Sequence, residues 1–361
     1  MLIPTKFSLS TSKSLGILAL AAILTGCNPS QPVATISSPE NPLPSASKSV
    51  VSPEAKNLPK VVVTHSVLCD ITKEIAQATI DLQCLLTPGT DPHEYQAKPE
   101  DKRAIAQAKL ILYGGYSFEP ALIKMITSSE TPSLKVAVSE LAVPKPLQSE
   151  GNHDHGPKNS AEKDGDRAAK KDSSPREADP HVWHNAQNGV QMVQVVRDKL
   201  KTISPANASL YDINAEKLAK QLKEIDSWIK VQVQTIPADQ KQLITTHESM
   251  GYFAAAYGIN LQGALQGIST EEQPTATRVA ALVQEIKSAK IPTIFPEANV
   301  NPGLMKVVAK EAQVKVSEIP LFGDGLGEAG SPGDTYLKTL TSNTCAIVKG
   351  LGGKCTPFVA K

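Results

Sequence analysis

Asp-Pro-His occurs twice in this chain, at Asp91-Pro92-His93 and at Asp179-Pro180-His181. There are only seven histidines in all, and two of them sit in one repeated tripeptide. Neutral imidazole nitrogen and carboxylate oxygen are both good ligands for first-row divalent metals, so the chemistry to expect is metal binding. His247, in Thr245-Thr246-His247-Glu248-Ser249, and Asp324, in Leu321-Phe322-Gly323-Asp324, are candidates of the same kind. Three imidazoles and one carboxylate would fill a tetrahedral shell. Glu297, in Phe295-Pro296-Glu297, is placed to hold an imidazole tautomer from behind. Asp334 rivals Asp324 in the same loop, His65 reads as a non-ligand at a strand end, and His184 as a residue of the cleft edge.

The segments that must position these residues alternate between strand and helix. Lys60–Leu68 is a β-branched run that reads as a strand, 70–78 as a helix, Leu82–Leu86 as a strand, 97–108 as a helix and Leu110–Tyr113 as a buried strand. A helix over 118–127 and a strand over 134–138 follow. Beyond 186 come an amphipathic helix to 201 and one long helix from 205 to about 233, with Leu210, Ile213, Leu218, Leu222, Ile225 and Ile229 at helical spacing. Alternation then resumes: strands at 242–245, 260–264, 293–295 and 314–319, helices at 251–257, 275–289, 305–312 and 336–351. This pattern predicts parallel sheets covered by helices. In open α/β sheets ligands bind outside the carboxyl ends of the strands, and His93, His247 and Asp324 all fall shortly after predicted strands.

The N-terminus predicts where the protein works. Lys6 and Lys13 precede the apolar run Leu15–Leu24, too short to span a bilayer and of the length of a signal segment. Leu24-Thr25-Gly26-Cys27 resembles a bacterial lipobox, which implies a signal peptide over 1–26 and lipidation of Cys27. Residues 27–58 are rich in Ser and Pro and read as a tether. Residues 148–178 read as a disordered charged insertion, with seven acidic and six basic residues between Glu150 and Glu177. It carries His153 and His155, a possible weak accessory metal site. Cys69, Cys84, Cys345 and Cys355 form an even set in an exported chain, and pairing of near neighbours, Cys69 with Cys84 and Cys345 with Cys355, is expected. The 37 basic and 36 acidic residues nearly cancel, and no basic stripe marks a nucleic-acid surface.

Four segments, in this order and behind a lipobox, carry a family resemblance: Leu86-Thr87-Pro88-Gly89-Thr90-Asp91-Pro92-His93-Glu94-Tyr95, Asp179-Pro180-His181-Val182-Trp183, Thr246-His247-Glu248-Ser249-Met250-Gly251-Tyr252-Phe253, and Phe322-Gly323-Asp324 before Gly333-Asp334-Thr335-Tyr336. Residues 60–361 resemble the cluster 9 (cluster A-I) zinc and manganese substrate-binding lipoproteins of ABC transporters. The resemblance implies metal ligands at His93, His181, His247 and Asp324. It also implies two Rossmann-like α/β lobes, 59–203 and 237–361, joined by a rigid helix over 204–236, with the metal in the cleft between them.

The function that follows is capture of Zn²⁺ on the extracytoplasmic (periplasmic) side and delivery to a membrane permease, by a lipid-anchored monomer. Members devoted to manganese tend to place a carboxylate where this chain has His247, and three imidazoles with one carboxylate suit zinc better. Manganese in the same role is the alternative. A lipid-anchored zinc hydrolase and a surface adhesin are the remaining rivals. The hydrolase is disfavoured because a catalytic zinc keeps an open position, whereas four protein ligands are available here and no HExxH occurs.

Overall fold

A computed structural model describes residues 58–149, 177–271 and 273–360. Cys27, the tether to residue 57, and His153 and His155 in the insertion lie outside the described residues.

The first half of the body contains β1 (Lys60–Val63), α1 (Ser66–Ala76), β2 (Asp81–Cys84), α2 (Pro99–Gln107), β3 (Leu110–Tyr113), α3 (Pro120–Thr127), β4 (Leu134–Ala137) and α4 (Val138–Ala142). Its strands form a parallel sheet in the order β2-β1-β3-β4, with Val62 opposite Gln83 on one side and Ile111 on the other. Both faces are buried. Val61, Val63, Leu110 and Leu112 point into the main core, while Val62 and Ile111 pack with Ile105 and Ile126 on the opposite face. Such two-sided burial is why these strands read as continuous apolar runs.

The β-branched run from Lys60 does not remain a strand to Leu68, as its composition predicts. It turns after Val63, and α1 begins at Ser66. Val67, Leu68, Ile71 and Ile75 lie on one buried helical face, so tertiary packing overrides the β propensity of Val67.

After the insertion come α5 (Ala186–Ile203) and α6 (Ala208–Gln234), the predicted long helix. Asn185 caps α5, its side chain accepting from the Gln187 amide at 2.9 Å. At 27 residues, α6 is about 40 Å long. It packs against α1, α5 and α10 (the last defined below) through Tyr211, Leu218, Leu222, Ile225 and Ile229, with Ile213 left exposed.

The second half contains β5 (Gln242–Thr245), α7 (Gly251–Tyr257), β6 (Asn260–Ala264), α8 (Ala276–Ala289), β7 (Thr293–Ile294), α9 (Gly303–Ala312), β8 (Lys315–Val316) and α10 (Tyr336–Gly350). β5 pairs with β6 and β7 with β8, all parallel, and a parallel bridge from Thr245 to Phe295 joins the two pairs. The resulting order, β6-β5-β7-β8, repeats that of the first sheet. β8 is shorter than the strand predicted over 314–319: the chain leaves the sheet after Val316 and bends at 318–319, where the Ser317 hydroxyl donates to the Ile319 carbonyl at 2.8 Å.

One core runs through residues of both halves, including Leu68, Trp183, Tyr211, Phe253 and Tyr336, and the described residues form one compact unit. A second cluster, with Leu282, Ile286, Met305 and Val308, lies beneath α8 and α9. Both expected disulfides are present: Cys69–Cys84 ties α1 to the end of β2, and Cys345–Cys355 ties α10 to the C-terminal segment. Among the described residues no helix is long and apolar enough to cross a membrane.

Candidate metal centre

Each of the four predicted ligands stands in a loop. His93 comes after β2, His181 before a 3-10 turn that leads into α5, His247 after β5 and Asp324 after β8. The fold brings these four together, with one donor atom of each lying within 4.8 Å of the others. The Oδ1 of Asp324 is 3.0 Å from the Nε2 of His181, 3.0 Å from the Nε2 of His247 and 3.6 Å from the Nε2 of His93. The two nearer imidazole nitrogens are 3.3 Å apart. Around a tetrahedral zinc with bonds of about 2.0–2.2 Å, neighbouring donors sit about 3.3–3.6 Å apart. The cluster is therefore close to the size such an ion requires. All four residues are buried, His181 and His247 completely.

The repeated tripeptide has a local purpose. In each copy the aspartate Oδ1 accepts the backbone N–H of the histidine two residues on, at 2.9 Å in both. This Asx turn presents the imidazole at a fixed angle. Beyond that turn the copies differ. Asp179 also accepts from the Nδ1 of His181 at 2.8 Å, whereas the second oxygen of Asp91 accepts the hydroxyl of Thr270 at 2.7 Å. Glu297 takes the Nδ1 of His247, and the Ser249 hydroxyl donates to its other oxygen at 2.9 Å. These carboxylates hold the Nδ1–H tautomers and leave Nε2 facing the centre. Gly323 allows the Asp324 loop to approach, since a Cβ there would lie 3.0 Å from the Ser249 hydroxyl and 3.1 Å from the Glu297 carboxyl carbon.

Burial alone would lower the pKa of both His181 and His247. The carboxylates Asp179 and Asp324 outweigh it at His181, and Asp324 and Glu297 do so at His247, so both are raised. Asp324 is buried, which would raise its pKa, yet the His247 charge and hydrogen bonds from the imidazoles hold it well below the ordinary carboxylate range. The carboxylates that favour a proton on His181 and His247 favour a cation there as well, so an entering ion competes with protons for these two imidazoles.

A profile of the ZnuA family, described as the periplasmic component A of the zinc-uptake complex, matches residues 61–350. The chain belongs to this family. It is 30% identical over 298 residues to the manganese ABC transporter substrate-binding lipoprotein PsaA of Streptococcus anginosus, spanning 81% of this chain and 89% of that one. It is 31% identical over 299 residues to the metal ABC transporter substrate-binding lipoprotein SsaB of Streptococcus sanguinis, with the same two shares. The structure of the periplasmic zinc binding protein TroA from Treponema pallidum matches with a TM-score of 0.71 at 29% identity, spanning 82% of this chain and 99% of that one. The chain is thus a metal-binding component of an ABC importer, not an enzyme.

The remaining sequence candidates fall outside the centre. Asp334 is bound to Lys338 at 2.8 Å and to the Gly330 amide at 3.0 Å. His184 is not at a cleft edge. It is fully buried, and its Nε2 meets the Gly323 carbonyl at 2.7 Å. The first turn after the Asp-Pro-His motif is tightly packed, and its third residue is drawn inward behind the Asp324 loop. His65 is buried with both ring nitrogens unpartnered, its ring 5.2 Å from Phe118 and 5.4 Å from Trp183. Burial lowers the pKa of both His65 and His184 to about 3, so both stay neutral.

Sequence reasoning missed three contributors. Asn299 donates to the Oδ2 of Asp324 at 2.8 Å. Phe118 sets its ring edge-on to His93 at 5.2 Å and to His181 at 5.6 Å, and so walls the centre. Glu119, beside it, is fully buried and accepts from Thr64 at 2.6 Å and from the Gly114 amide at 2.7 Å, while its Oε2 has no partner. None lies in a motif whose spacing singles it out.

Burial pushes the Glu119 carboxyl up to about 7 from 4.5. In the unfolded chain it ionises first, so the folded state loses stability as pH rises from about 4.5 to about 7. The total is on the order of 3 kcal/mol at about 1.4 kcal/mol per unit. Glu119→Gln should therefore raise stability to urea by roughly 2–3 kcal/mol at pH 8 and leave it unchanged at pH 4.5. A gain of equal size at both pH values would contradict a carboxyl whose pKa burial raises.

Proposed function

We propose that the protein captures Zn²⁺ outside the cytoplasm and hands it to the permease of its importer. The observation that carries this reading is the composition of the centre: three buried imidazoles and one carboxylate, one donor atom from each, at near-tetrahedral spacing. Such a set suits zinc. Manganese prefers more oxygen ligands and stands at the weak end of the affinity series. His247 supplies nitrogen, and its Nδ1 is already engaged by Glu297, which keeps that carboxylate behind the imidazole.

The name of PsaA, at 30% identity, favours manganese as the second reading. Competition titration of the metal-free protein with both ions tests the zinc reading. Zinc should bind at least about 100-fold more tightly, since one imidazole in place of a carboxylate shifts both ligand charge and softness. Equal or tighter manganese binding would overturn the zinc reading.

Cation and protons compete for the same imidazoles. At least one proton leaves per ion bound, so zinc affinity should fall by about 100-fold or more between pH 7.5 and 5.5. Calorimetry at the two pH values reads this directly, and equal affinities would remove histidine from the ligand set.

In the same reading Cys27 carries the lipid anchor and the Ser/Pro-rich tether lets the body, a monomer, reach both ion and permease. His153 and His155 add at most a weak accessory site. The α6 helix is a stiff connector between the halves that carry His93 and His181 and those that carry His247 and Asp324.

A further inference from the structure

We infer that Asn299 selects the metal by holding Asp324 to a single ligating oxygen. The inference rests on the ligand set proposed above. The Oδ1 of Asp324 faces all three imidazoles, and its Oδ2 is taken by the Asn299 amide at 2.8 Å. A carboxylate so held cannot swing its second oxygen onto an ion without breaking that bond. Asp324 is only 2% exposed and Asn299 is half-buried, so the bond broken would be a partly shielded one, which costs more than a fully solvated one. The carboxyl thus offers one donor, the imidazoles three, and the coordination number is four. Zinc, with no geometric preference of its own, accepts four ligands in a tetrahedron. Manganese favours six, mostly oxygen.

Asn299 is also placed where its loss would admit further oxygen. It lines a cavity of about 350 Å³, together with Asp91, Glu94, Thr270, Gln266 and Gln273. Removing its side chain would free Oδ2 and open the centre toward that polar cavity. Both changes add oxygen donors, and both favour manganese. The side chain of Asn299 is a neutral carboxamide whose NH2 is spent on Asp324, so the residue is a positioning residue and not itself a ligand.

The test is Asn299→Ala, with Gln273→Ala as a control on the same cavity wall. Zinc and manganese affinities are measured by competition with a chromophoric chelator. The zinc coordination number is read by X-ray absorption, and the manganese environment by electron paramagnetic resonance. In Asn299→Ala the ratio of zinc to manganese affinity should fall about tenfold or more, the range typical of outer partners of metal ligands. The mean zinc coordination number should rise above four, and Gln273→Ala should change neither. Equal loss of both affinities at an unchanged coordination number would make Asn299 merely structural and overturn the inference. So would an unmoved ratio. Wild-type protein that binds neither ion would overturn the ligand set itself, and the inference with it. Normal zinc binding by wild type with an unmoved ratio in the variant overturns the inference alone.

Discussion

His247→Ala should lower zinc affinity by about 10²- to 10³-fold. Structural zinc sites of four ligands are worth roughly 10–16 kcal/mol, so one ligand carries on the order of 3–4 kcal/mol. The loss is not confined to one bond. His247 is the partner of Glu297 through Nδ1 and lies 3.0 Å from Asp324 through Nε2. Its removal leaves Glu297, which is 2% exposed, without its imidazole. Asp324 keeps His181 and His93 but loses the neighbour whose charge does most to hold its pKa down. Two buried carboxylates are then less well compensated, and the variant should unfold at lower temperature even without metal. Zinc titration followed by calorimetry measures the first effect. Thermal unfolding with and without zinc measures the second, and the metal-induced rise in Tm should shrink with the affinity. Zinc bound by the variant at full stoichiometry and wild-type affinity would remove His247 from the ligand set.

Phe118→Ala should cost about 3–5 kcal/mol of stability, the range for deleting a fully buried aromatic ring. Phe118 is fully buried, with its ring 4.8 Å from Trp183 and 5.2 Å from both His65 and His93. The backbone accepts strain to put it there. Gly115, Tyr116 and Ser117 have φ of +91°, +50° and +58°, three successive left-handed residues of which only the first is glycine. Contacts hold the turn. The Tyr116 amide donates to Glu140 at 3.0 Å and its hydroxyl to the Val143 carbonyl at 2.7 Å. Losing the ring would also unseat His93 and His181, so zinc affinity should drop about tenfold while the other two ligands stay in place. Urea unfolding of the metal-free protein and zinc titration of the folded protein separate the two effects. A stability loss below about 1 kcal/mol would mean that the cavity collapses and that the ring does not support the centre.

Much of the chemistry was legible in the residues themselves. The two Asp-Pro-His copies are chemical punctuation, since an aspartate two residues before a histidine can accept its amide, and both copies do so here. Strands and helices were legible because a parallel sheet buried on both faces writes apolar runs such as Leu110–Tyr113, and long helices write a period that persists over 27 residues. Pairing of each cysteine with its near neighbour followed from separations of 15 and 10 residues. Where the reading failed, packing had overridden a local preference. Val67 and Leu68 have the composition of a strand but form the buried face of α1.

By itself, then, the sequence determined which side chains can meet a metal and the loops that carry them, because ligand chemistry belongs to residue types and turns to local geometry. Only the tertiary structure decided that the four donors converge, and what stands behind them. Asn299, Phe118 and Glu119 owe their roles to neighbours distant along the chain: 25 residues separate Asn299 from Asp324, and 55 separate Glu119 from Thr64. No local pattern records such a distance, since it is set by how the sheets and α6 pack. The same packing places a carboxylate behind His181 and His247 and an amide behind Asp324, one layer out from the centre, where tautomer and carboxylate orientation are set.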